Sequence, residues 1–177
     1  MGLIGTWRAA RERRRLAERY LRELLTAPGT DDRQWLSTHT GSIAAATREL
    51  VFVRRAIALI VAERDALDDR TASDVSHVLA GVIEAEARAS RQTGREWALR
   101  WRAYSATQAA RGQVESPAAR VARVLLEGAG IALPSDALLT QATQFVQTTR
   151  ARANESLRAA FGEATLPEDI RPSALQP

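Results

Sequence analysis

The chain has 177 residues and a net charge of only +4, because 25 arginines, with no lysine among them, face 21 acidic groups; its isoelectric point of about 10.7 reflects arginine's titration rather than a heavily basic surface. That length supports one domain with a real core, and the absence of cysteine excludes disulfides and thiolate metal sites. Few aromatics, ten glycines and an apolar content rich in Ala, Leu, Val and Ile favour helices over sheets, so the expected class is all-α.

The first helix is expected from a Thr6 cap to about Ala27, where Pro28-Gly29 provides a turn. Residues 1–25 hold seven Arg and three Glu, so the whole net charge of +4 resides there and the remaining 18 basic and 18 acidic groups cancel. At about 100° per residue, Arg8, Arg11, Arg15, Arg19 and Arg22 fall within an arc of roughly 80°, whereas Trp7, Ala10, Ala17, Leu21, Leu24 and Leu25 take the other side. One face docks and the other attracts anions. The opening Met1-Gly2-Leu3-Ile4-Gly5-Thr6 matches a short acylation pattern, but so brief a pattern arises by chance. No secretory leader is expected, because arginines interrupt the first apolar stretch.

Asp31 or Asp32 opens a short helical segment through Trp35 and Leu36, broken near Gly41, and Ser42 restarts a long second helix to Leu67. Residues 50–62 of that helix are apolar on nearly every side, which places it near the middle of the bundle. Its charges, Arg48, Glu49, Arg54 and Arg55, exclude an ordinary membrane span. Asp68-Asp69 ends it. Ser73 or Asp74 is expected to cap a third helix of nearly 40 residues, about 55 Å long, bending at Gly94 and closing at Arg111-Gly112. Trp97, Trp101 and Tyr104 share one of its faces. Ser116-Pro117 begins a short helix ending at Gly128 or Gly130, and Ser135 caps a final long helix to Gly162. Three prolines and no periodicity make residues 163–177 a flexible tail. The plan is one domain over residues 1–162, an up-and-down bundle of about four long helices and one short one.

Chemistry is sparse. The fullest metal constellation is Asp74-x-x-His77 with Glu84, Glu49 and Glu63, but Glu-x-x-His is absent and a di-iron bundle requires it twice. Asp74 reads as a helix cap. His39 lies in a loop-like break without an acidic orienter, and Gly128-x-Gly130 has neither a preceding strand nor a following lysine. Residues 120–150 imitate a helix-turn-helix, yet the would-be reader helix has no basic residue from Asp136 to Thr149. No cofactor, no metal and no enzymatic activity are expected.

The expected function is therefore a non-enzymatic subunit or adaptor of a larger, cytoplasmic assembly. It docks Trp7, Arg8, Arg11, Arg15, Arg19 and Arg22 onto an acidic protein surface or a second copy of itself. The alternatives are nucleic-acid binding that recruits a second anion face of Arg88, Arg91, Arg95 and Arg102 on the third helix, and membrane-surface binding through Leu3, Ile4 and Trp7.

Overall fold

The computed structural model describes residues 3–66, 69–109 and 114–162, with side chains from residue 7 onward. These residues form seven helices and no strand: α1 (Leu3–Leu25), α2 (Thr30–Thr40), α3 (Ile43–Asp65), α4 (Asp69–Ala89), α5 (Arg91–Ala109), α6 (Pro117–Gly128) and α7 (Asp136–Phe161). The all-α expectation holds. The stops proposed at Leu67, Asp68 and Arg111-Gly112, and the tail 163–177, lie outside the described residues.

Helix α3 is the central element because its sequence leaves it no solvent-facing side. Its residues from Phe52 to Ala62, Arg54 apart, are all buried, and it packs against each of the other six helices. Ser42 starts it as the spacing predicts, its extended backbone and hydroxyl accepting from the Ala45 N–H, a cap worth about 1 kcal/mol. Gly41 ends α2 with a φ of 67°, which a Cβ would strain. Ser116 and Ser135 cap α6 and α7 in the same way, and the Gly162 N–H closes α7 on the Arg158 carbonyl.

Four local expectations are corrected. Helix α1 begins at Leu3, so Thr6 is inside it, and it ends at Leu25. Helix α2 begins at Thr30 after Gly29, leaving Asp31 and Asp32 in its first turn, where carboxylates favour the positive end of the helix dipole. Helix α4 begins at Asp69, so neither Ser73 nor Asp74 caps it. Finally, the supposed 40-residue third helix is two helices, α4 and α5, broken at Ser90.

That break arises without glycine or proline. The Ser90 N–H still bonds the Glu86 carbonyl, while its hydroxyl accepts from the Thr93 N–H and starts α5. The chain folds back there, stacking Trp97 on Trp101 and setting it at a tilt against Phe52 of α3, with centroids 6.1 and 5.9 Å apart. Gly94 serves closeness rather than bending, since a Cβ there would lie 2.8 Å from the Ala87 Cβ.

Candidate partner-binding groove

The two sides of α1 separate as its helical spacing requires only in its C-terminal half, since Trp7 and Ala10, expected on the docked side, are exposed. Ala17, Tyr20, Leu21 and Leu24 are buried, and Arg8, Arg11, Arg15, Arg19 and Arg22 are all exposed. The C-terminal half is anchored on both flanks: the Tyr20 hydroxyl donates to the Ala58 carbonyl at 2.8 Å, and Ser156 of α7 donates to the Tyr20 carbonyl at 3.3 Å. Arg54 donates to the Glu23 and Thr26 carbonyls at the end of α1. Burial lowers the Arg54 pKa, with Asp32 opposing that shift.

The N-terminal half is tied to α4 through Arg13. Arg13, on the inward side of the arginine stripe, donates to Asp74 and to the Thr71 hydroxyl. That pairing, rather than a helix cap or a metal, accounts for Asp74. Ahead of Arg13 the helix has little behind it: Trp7 is 63% exposed, and Ala9 and Ala10 are exposed as well.

Between this half of α1 and α4 lies a groove of about 620 Å³, lined by Trp7, Arg11, Arg14, Arg15, His77 and Val78 among others. The Arg11 guanidinium sits over the Trp7 ring, 5.5 Å from its centroid, a cation–π contact that orders both side chains. Arg14 and Arg15 are partly neutralised by Glu18 and Glu12 at 2.9 and 3.5 Å. Arg8, Arg19 and Arg22 form no ion pair among the described residues. The structure thus brings Trp7, Arg11 and Arg15 together in the groove and leaves Arg8, Arg19 and Arg22 on the adjoining face.

The second arginine face does not survive as one stripe. Arg88 lies in the last turn of α4, and Arg91, Arg95 and Arg102 belong to α5, so the four no longer share one helix, although Arg88 and Arg91 still line a common cavity with Glu84 and Ala87. Arg88 reaches Glu84 at 3.6 Å in an exposed pair, the kind that contributes little to stability. His39 is exposed in the last turn of α2, and among the described residues no three His, Asp or Glu side chains gather to hold a metal.

Two ion pairs, each with one buried member, have no counterpart in the sequence reading. Glu49, 1% exposed, accepts two hydrogen bonds from Arg100 of α5 at 2.8 and 2.9 Å, and Arg100 also donates to the Gly128 carbonyl at 2.8 Å. Arg55 of α3 likewise holds Glu86 of α4 through two bonds of 2.8 and 2.6 Å. The signal was present: a charged residue inside a helix apolar all round must be paired when that helix is buried. What spacing could not supply was the partner. The hydrogen bonds Arg100 donates to Glu49 raise the Arg100 pKa, while burial, and then the Glu49 charge, pushes the nearby Tyr104 phenol well up. These pairs join α3 to α4, α5 and the end of α6.

The described residues form an all-helical fold with a tryptophan-bearing groove between α1 and α4, lined by three arginines and by the carboxylates of Glu18 and Asp74. No protein-family model matches the chain, and neither the curated proteins nor the solved structures contain a match.

Proposed function

We propose that the protein is a non-enzymatic interaction subunit that docks α1 onto an acidic protein surface inside a larger cytoplasmic assembly. The observation that carries this reading is the unsatisfied state of α1: an exposed Trp7 beside Arg11, with Arg8, Arg19 and Arg22 lacking carboxylate partners among the described residues. Trp and Arg are the side chains most enriched at interface anchor positions. Guanidinium groups hold carboxylates bidentately, and a one-sided array speeds encounter with a surface of opposite charge. No helix among the described residues is long and apolar enough to cross a membrane, which is in keeping with docking from an aqueous compartment.

The test is size exclusion with light scattering on the purified chain at low and high salt, recording the ratio of absorbance at 260 and 280 nm. The reading expects a nucleic-acid-free oligomer or a particle carrying protein. Replacing Arg8, Arg11, Arg15, Arg19 and Arg22 with Gln should dissociate it without altering helicity or the melting midpoint. A high absorbance ratio that collapses with salt would replace this reading with nucleic-acid binding, and association indifferent to the five substitutions would remove the role of α1.

A further inference from the structure

On a different face from the arginine stripe, a crevice of about 320 Å³ opens between α3, α4 and α5. Leu59, Ile83, Trp97 and Trp101 form its apolar walls, and Glu63 and Glu84 supply its charge. No arginine or histidine lines it. The indoles are held in place, since Trp97 is wedged between Phe52 and Trp101 and only 7% exposed, and the two tryptophan planes lie within 19° of each other. Glu63 has no ion pair or hydrogen bond among the described residues. Glu84 has only the 3.6 Å pair with Arg88, both side chains being more than two-thirds exposed.

Three features of this crevice select the same ligand chemistry. Glu63, without an ion pair among the described residues, and Glu84, held only by its exposed pair with Arg88, favour a cation, and the partly exposed Trp101 ring attracts a cationic centre within about 6 Å. Leucine, isoleucine and indole walls favour a hydrocarbon body over a strongly hydrated ion. We infer that this crevice is a binding site for a small organic cation with an aromatic or aliphatic body, such as a quaternary ammonium compound. The apolar body lies against Leu59 and Ile83 while the cationic head faces Trp101, Glu63 and Glu84. The inference stands independently of partner docking through α1.

Calorimetric titration of the full chain with meta-hydroxyphenyltrimethylammonium, and with its uncharged isostere meta-tert-butylphenol, tests it. The cation should bind saturably and at least about tenfold more tightly than the isostere, a difference of about 1.4 kcal/mol. The double variant Glu63→Gln/Glu84→Gln, at two exposed positions and with an unchanged melting midpoint, should lose that preference while still binding the phenol. Equal affinity for the two compounds, a preference that persists in the double variant, or no saturable binding of the cation would each overturn the assignment.

Discussion

Two helical glycines give a decisive test of the packing around the buried carboxylate. Helix propensity alone predicts that Gly81→Ala and Gly128→Ala both stabilise, each by up to about 1 kcal/mol. A Cβ at Gly81 meets nothing within 4 Å, so that gain should be realised there. A Cβ at Gly128 would lie 2.5 Å from the Glu49 Oε2 and 2.8 Å from the Arg100 Nε, so the ion pair must move. The two partners are not equally free to do so: the Arg100 side chain is 31% exposed and can swing toward water, but Glu49, 1% exposed, cannot follow. Stranding a buried charge costs about 3 kcal/mol at the low end of its range; less the gain in propensity, Gly128→Ala should destabilise by about 2 kcal/mol. In a domain of this size the melting midpoints should fall by about 4–8 °C for Gly128→Ala and rise by about 2–4 °C for Gly81→Ala. Urea titration supplies the free energies. If Gly128→Ala stabilises as much as Gly81→Ala, the Glu49–Arg100 contact does not constrain the end of α6 and the reasoning fails.

The two buried tyrosines should respond oppositely to loss of the hydroxyl. Tyr20→Phe forfeits a 2.8 Å bond to the Ala58 carbonyl and should cost about 1 kcal/mol, whereas Tyr104, whose hydroxyl has no partner among the described residues, should accept phenylalanine with equal or greater stability in urea titrations at neutral pH. Both phenols titrate above their ordinary value of 10.0, first through burial and then through the charges of Asp65 and Glu49 respectively. The fold therefore retains these protons more tightly than the unfolded chain does. Stability from this source is complete below about pH 10 and declines as pH rises beyond it; melts between pH 8 and 11 should show that decline shrinking in each phenylalanine variant. On α1, Arg13→Gln should cost about 1–2 kcal/mol because it breaks the partly buried contact with Asp74 and Thr71, while exposed Arg19→Gln should stay within about 0.5 kcal/mol in the same denaturation assay. Equal effects at the two positions would show that the inward turn of Arg13 contributes nothing.

Much of the architecture was legible in local chemistry. Ser42, Ser116 and Ser135 start helices where a hydroxyl precedes an apolar periodicity, and the apolar runs 50–53 and 56–62, interrupted only by Arg54 and Arg55, placed α3 at the centre. The exposure of Arg8, Arg11, Arg15, Arg19 and Arg22 also follows from their common arc, since a helix with buried residues on one side must turn the other outward. These features depend on spacings of a few residues. The sequence carries them without any knowledge of the fold.

Tertiary structure decided what depends on residues far apart in the chain. The apolar rhythm runs through Ser90 undisturbed, so nothing local distinguishes one long helix from two; the fold-back is set by the packing of Trp97 and Trp101 against α3. Arg13 looks like one more arginine in its run until Asp74, 61 positions away, turns it inward. Glu49 looks like a metal ligand until Arg100 takes both its oxygens. The crevice between Glu63, Glu84 and the stacked indoles exists only because α4 and α5 reverse at Ser90. Period and capping are properties of neighbouring residues and can be read along the chain, but charge pairing and cavity shape belong to the helix packing and become definite only when the bundle closes.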